Sequence, residues 1–350
     1  MSIANSDIKY MKAQIVSDSD GNGGRMSDVE SAPGVKNNVW PDVPASERKN
    51  GSTKYRKVFI KIANADNLKM VDARIFVDAL TPGGDRILLF SGTQTDTQAD
   101  VSGVSHQYCG AATLDADIPD QQGAGGATLV LNTENGADVI FRTSGLIRIT
   151  NKTSVDDLAG TEEFLRIGTT PIVWNGSTAT IVLRLDAVIE NVYSAANTRV
   201  SSVIEAGDIW GNTSDWQILS AAGKYGGWNG SGAIPTLLTD LRMVSSIGGC
   251  EQTWTITFSN STTFSCVGDT AGSVGGGTIN ADFAPNNAAC SAPYFTFPSA
   301  LFSGTWANGD VLRFKTHPAA YPIWEKRIIP PNTSSLSGNK VIIGISGESE

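Results

Sequence analysis

The chain holds only two histidines, and that scarcity limits the chemistry open to it. A Ser-His-Asp relay or a zinc site built on histidine would need His106, His317 or both. His317 precedes Pro318 where a strand turns into a loop, which reads as a capping or packing histidine. His106 lies beside Tyr108 and Cys109, so a Cys–His pair is conceivable, yet nothing nearby marks an activated thiolate. Cys109, Cys250, Cys266 and Cys290 are widely spaced without a CxxC, and four free thiols are expected. Asp18, Asp20, Asn22 and Gly23 open like a calcium loop, D-x-D-x-N-G. That loop demands a bidentate glutamate at its twelfth position, here Val29, and Glu30 comes one residue late. A solvated loop is the better reading. Gly275 to Gly277 lacks the Lys-Ser/Thr of a phosphate loop. Carboxylates such as Asp156, Asp157, Glu162 and Glu163 are plentiful, but a glycosidase pair is defined by separation in space. Asp208 or Asp215, beside the aromatic stretch, is an example of a carboxylate that folding would have to bring into such a pair. The expectation is a protein that is not an enzyme, with no catalytic residues, no metal and no cofactor.

Two clusters point to binding instead. Trp210, Trp216, Tyr225 and Trp228 sit in a glycine-rich stretch, residues 205–248. They would form a platform for sugar rings or pack a domain junction or subunit interface, and packing is favoured because aromatics are enriched at interfaces. Lys54, Arg56 and Lys57, with Arg48 and Lys61, form the cationic island of a chain with 26 basic and 35 acidic residues. It would grip an acidic partner or protect a strand edge. A net charge of −9 argues against a nucleic-acid partner. Apolar runs such as Ile87–Phe90 are too short to span a bilayer, so no membrane is expected. The first residues show no basic stretch leading into an apolar one, and cysteines are sparse, which reads as synthesis in a reducing cytoplasm.

The elements that must position these groups read as β-strands. Glycine at 37 and proline at 14 of 350 residues disfavour long helices. Residues 1–54 read as an extended N-terminal arm, punctuated by Pro33, Pro41 and Pro44, with one helical turn near Ser46. The arm nevertheless carries Val35, Val39, Trp40 and Val43, which a solvated tail would not need. From Tyr55, short alternating segments separated by turn residues follow, the pattern of a sandwich or barrel. Val58, Ile60 and Ile62 alternate with Lys57, Phe59 and Lys61 as a half-buried strand, and Val139–Phe141 is among the later ones. A short helix is expected within 234–241. Trp254, Ile256 and Phe258 head a hairpin whose register should set Phe258 opposite Thr262, Ile256 opposite Phe264 and Trp254 opposite Cys266. The expected fold is all-β. Two β-sandwich or barrel-like domains follow the arm, a larger one over 55–246 and a smaller one over 247–350.

Asn22–Met26, Pro33–Val43, Glu47–Arg48 and Gly51–Phe59 resemble the opening of a group of uncharacterised tailed-bacteriophage virion proteins. Ser303–Asp310 and the run on through His317 to Arg327 also resemble phage structural sequences. The resemblance implies a particle component and brings no catalytic residues with it. The resulting expectation is a structural subunit in the tail, baseplate or neck of the virion, made in the host cytoplasm. Its partners would be copies of itself in a symmetric homo-oligomer and other virion proteins. Contacts between subunits are expected through Val35, Val39, Trp40, Val43, Tyr55 and Arg56. Removing residues 1–50 should then leave a folded protein that no longer assembles. A capsid decoration protein and a carbohydrate-binding adhesin or receptor-binding protein are the alternatives.

Overall fold

Strands dominate wherever β-branched and aromatic residues alternate with polar ones between Gly, Asn and Pro turns. The computed structural model is 47% strand and 5% helix, an all-β fold. It describes residues 2–118, 126–133, 139–219, 243–302 and 306–350. Among them, no helix is long and apolar enough to cross a membrane.

A hairpin of β1 (Ile8–Ile15) and β2 (Gly23–Glu30) opens the chain, and α1 (Ala45–Asn50) leads into β3 (Ser52–Ile62), β4 (Met70–Val77) and β5 (Arg86–Ser91). After the single turn α2 (Gln98–Val101) come β6 (Ala111–Leu114), β7 (Thr128–Asn132), β8 (Leu146–Thr150) and β9 (Glu162–Arg166). Next are β10 (Val173–Asn175), β11 (Thr178–Val182), β12 (Arg199–Ile209) and β13 (Asn212–Leu219). The remainder is β14 (Gln252–Phe258), β15 (Thr263–Gly268), β16 (Gly272–Thr278), β17 (Asn286–Asn287), β18 (Ala292–Pro293), β19 (Val311–His317), β20 (Ala320–Ile329) and β21 (Ile343–Ser349).

These strands form three principal sheets. The first has the order β2-β1-β3-β20-β5. The second runs β10-β11-β7-β6-β12-β4-β21, with β8 and β9 branching from β12. The third is β13-β19-β14-β15-β16. Val58, Ile60, Leu89 and Ile323 of the first sheet share a buried cluster with Ile75, Val77, Ala111 and Ile204 of the second, so the two sheets pack face to face. The third sheet closes over its own core of Trp254, Ile256, Phe258, Phe264, Leu312 and Phe314.

Five expectations need correction. Residues 1–54 are not one extended arm: β1 pairs with β3 from Ile8↔Ile62 to Lys12↔Val58, and only residues 31–44 form an irregular strap before α1. Removing residues 1–50 would therefore bare one side of β3. That strand is not half-buried either; Arg56 through Ile62 are buried on both faces, because β1 and β20 flank it and layers cover it above and below. The unit expected over 247–350 is divided differently. Its sheet recruits β13 from residue 212 onward, while β20 and β21 leave it to pair with β3, β5 and β4. Val139–Phe141 is not a strand, although Ile140 and Phe141 are buried. In the β14–β15 hairpin the pairs are Phe258↔Phe264, Ile256↔Cys266 and Trp254↔Gly268. A slip of two residues keeps every side chain on its face, so alternation alone cannot choose between the registers. The choice falls to Asn260, whose Oδ1 accepts from the N–H groups of Thr262 and Thr263 (2.8 Å each) and widens the loop. The short helix expected within 234–241 lies outside the described residues.

Phe59 has no exposed surface and packs with Met11, Ala13 and Ala320 on the face of β3 opposite the sandwich core. Phe59→Ala should cost about 3–5 kcal/mol, read as a lowered urea midpoint with an unchanged slope.

Candidate functional site

The strap is held by one aromatic anchor. Trp40 Nε1–H donates to Glu325 Oε2 at 2.6 Å, and two guanidinium groups lie against its ring, Arg327 at 4.4 Å and Arg56 at 4.9 Å. Arg327 also donates to the Pro41 carbonyl at 3.2 Å. Val39 packs with Trp40 against the sandwich core, Val43 is half-buried, and Val35 stays 57% exposed. Tyr55 meets Phe90 edge-on at 6.4 Å. The residues expected to contact other subunits thus lie mostly against their own chain, and Val35 is the one that projects outward.

Of the cationic island, Arg56, Lys57 and Lys61 are buried on β3, a central strand rather than an edge, while Lys54 and Arg48 are half-buried. Lys54 pairs with Asp18 and Glu47 (2.7 Å each), and Arg56 pairs with Asp18 at 2.6 Å. Lys57 reaches Asp96 Oδ1 at 2.6 Å and the Gly24 carbonyl at 2.6 Å. Burial pulls the Lys57 ammonium below its usual range, against the pull of Asp96. Lys61 donates to the Ile247 carbonyl at 2.5 Å, and Arg48 to that of Val43 at 2.6 Å. Residues 18–21 are exposed, as expected of a solvated loop, while the side chains of Asp18 and Asn22 pin the loop to the fold. Asp18 serves two cations, and the Asn22 side chain, fully buried, donates to the Tyr55 carbonyl at 2.9 Å. Gly23 at φ +108 must be glycine, since a Cβ there would stand 2.8 Å from the Trp324 ring.

The other groups are similarly occupied. Trp216 is buried and stacks on Phe314 at 4.5 Å, leaving no face for a sugar ring; Trp210 is half-buried. Tyr225 and Trp228 lie outside the described residues. Asp208 pairs with Lys69 at 2.9 Å and Asp215 with Lys315 at 2.6 Å, and each lysine holds its carboxyl below the usual range. Glu162 binds Arg148, Glu163 accepts from the Tyr193 hydroxyl at 3.0 Å, Asp157 from Thr153 and Asp156 from Asn5. His106 stacks on Phe90 at 4.0 Å and contacts the Val101 carbonyl at 2.8 Å. It lines an open cleft of about 330 Å³ with Arg142, Glu205 and Cys109, whose thiol burial pushes up to about 11, the opposite of activation. All four cysteines are free. Among the described residues no group of His, Cys, Asp and Glu could hold a metal ion.

His317 is the exception. Its Nδ1 stands 2.7 Å from Glu251 Oε2 and its Nε2 stands 2.8 Å from Ser214 Oγ. Three adjacent strands make this row. Gln252↔Thr316 is the last pair of β14 with β19, so Glu251 and His317 continue that register on the outward face. Ser214 lies opposite Lys315, a diagonal step from His317. Between Ser214 and Gln217 two residues of β13 face Phe314 alone, a bulge at which Asp215 takes φ +53. Glu251 is buried, while Ser214 and His317 are partly exposed. The sequence singles out His317 but not its partners, since Glu251 precedes it by 66 residues and Ser214 by 103.

Glu325 is the buried carboxyl of the strap anchor. Burial pushes it up to about 7, while the Trp40 hydrogen bond and the Arg327 and Arg56 charges pull it down; Tyr10 is the other titratable group that feels it. Because the folded carboxyl holds its proton more tightly than the unfolded one at 4.5, its contribution to stability is complete below pH 4.5 and is lost as pH rises through about 7. The stability of wild type relative to Glu325→Gln should therefore fall across that window, by up to about 3 kcal/mol. Urea melts of both proteins at pH 4.5 and pH 8 measure it.

Among family models, curated proteins and solved structures, none matches this chain.

Proposed function

We infer that this chain is a structural subunit of a tailed-phage particle, placed in the tail, baseplate or neck and working as a symmetric homo-oligomer with other virion proteins around it. The resemblance of the strap, the start of β3 and the segment running into β20 supplies the phage context. The observation that carries assembly is the edge of the third sheet. β16, Gly-Ser-Val-Gly-Gly-Gly-Thr, has neither a charge nor a proline, and its residues are mostly exposed. Strand edges left in this state pair with other strands, and proteins that stay apart guard them with charge. β2, at the edge of the first sheet, does carry that guard in Arg25, Asp28 and Glu30. The contrast marks β16 as the edge kept open for a second copy. The taking of Trp216 into the core weighs against the sugar-binding alternative.

Lysines at the exposed positions Ser273 and Thr278 would restore a guard without touching the core face. Sedimentation of the purified chain should show an oligomer that the double variant Ser273→Lys, Thr278→Lys shifts at least tenfold in concentration toward monomer (about 1.4 kcal/mol). A wild-type chain that stays monomeric, or a variant that assembles as well as wild type, would defeat the edge as the interface. Immunogold labelling of purified virions tests the particle assignment itself.

A further inference from the structure

We propose that Ser214, His317 and Glu251 form a nucleophilic relay that hydrolyses carboxylic esters. A carboxylate can only accept a hydrogen bond, so the proton between His317 Nδ1 and Glu251 Oε2, 2.7 Å apart, belongs to the imidazole. With that tautomer, Nε2 offers its lone pair to the Ser214 hydroxyl, 2.8 Å away. This is the connectivity that makes serine a nucleophile: hydroxyl, base, and a carboxylate that fixes the tautomer and steadies the imidazolium. Glu251 is the positioning residue, its side chain 10% exposed against 26% for His317, so the carboxylate is the more shielded of the two.

The backbone around Ser214 supports the same reading. A non-glycine residue at φ +53 is strained, and Asp215 bears that strain in the bulge directly after the hydroxyl. Lys315, opposite Ser214, is tied to Asp215 at 2.6 Å, which holds the bulge beside the hydroxyl in place.

In the reaction, Ser214 Oγ bonds to the acyl carbon as its proton passes to His317 Nε2. The ester C–O bond then breaks, and the leaving alcohol takes that proton. Water attacks the acyl-serine, gives a proton to Nε2, and the acid departs as Ser214 regains its hydrogen. Ester and water become acid and alcohol, and no other reactant is needed. Because Ser214 and His317 lie on the outward face of a sheet, the substrate class is an acyl ester displayed at the surface of a larger molecule.

The test is covalent labelling of the full chain with a fluorophosphonate, with the labelled peptide identified by mass spectrometry, alongside p-nitrophenyl acetate hydrolysis. Label should fall on Ser214 and vanish in Ser214→Ala, a change of one atom that leaves the sheet intact. His317→Ala should slow labelling at least about a hundredfold, with partial rescue by added imidazole. Glu251→Gln should slow it too, and Glu251→Asp should restore most of the rate, which a merely structural role would not do. No label on wild-type Ser214, or equal labelling in Ser214-containing variants that lack His317 or Glu251, would overturn the relay. The readout does not depend on assembly, since monomer and oligomer would label alike.

Discussion

The ladder between β3 and β20 is the constraint on which the rest of the molecule hangs. It pairs ten residues without a break, from Ala320↔Lys61 to Ile329↔Ser52. It makes β3 a central strand, and where layers cover both its faces, from Arg56 to Ile62, every side chain is buried. Ile60 and Val58 satisfy that demand directly. Lys57, Lys61 and Arg56 do not, and much of the surrounding structure consists of their partners. Asp96 comes from the loop after β5, the Gly24 carbonyl from β2, and Asp18 from the β1–β2 turn. A buried ion left unpartnered costs several kcal/mol, so these loops are held in place by the charge they answer.

The same logic extends beyond the first sheet. Arg148, fully buried in β8, is matched by Asp78 at 2.8 Å and by Glu162, and its guanidinium lies 4.2 Å from the Phe76 ring. Glu325 is matched by Trp40. In each case a buried ionisable group ties a segment distant in sequence to the core, and its partner choice fixes where that segment lies. Apolar packing would stabilise as well or better, but it would not select one loop path over its neighbours. On the third sheet the polar row of Ser214, His317 and Glu251 stands on the outer face. It is built by register rather than by burial.

The all-β character was legible because alternation and turn residues are local signals. Trp254, Ile256 and Phe258 point inward as their spacing requires, and α1 falls where Pro44 and Ser46 foretell a helical turn. Pairings between distant strands were not legible. Nothing near Tyr55 announces that its strand will receive Trp324 and its neighbours, so Lys57 looked like the solvent face of an edge. For the same reason Ser214 and Glu251 escaped notice. Each is an ordinary polar residue until β13, β19 and β14 set it beside His317. The strap gave half its meaning away: Val39 and Trp40 declared that it packs, and only the fold shows that Glu325 receives it.

The β3–β20 ladder also has a consequence in time. Its partners are roughly 260 positions apart, and contacts of such separation form slowly because the intervening chain must first be gathered in. A ribosome adding on the order of ten residues each second takes about half a minute to carry synthesis from one strand to the other. Throughout that interval β1 alone can cover an edge of β3, and the sandwich lacks the strand on its other side. The nascent protein therefore presents an apolar, hydrogen-bond-hungry strand to a crowded cell before its permanent neighbour exists. Yield of folded protein should be governed less by how stable the finished sheet is than by what shelters β3 while the chain is still being made.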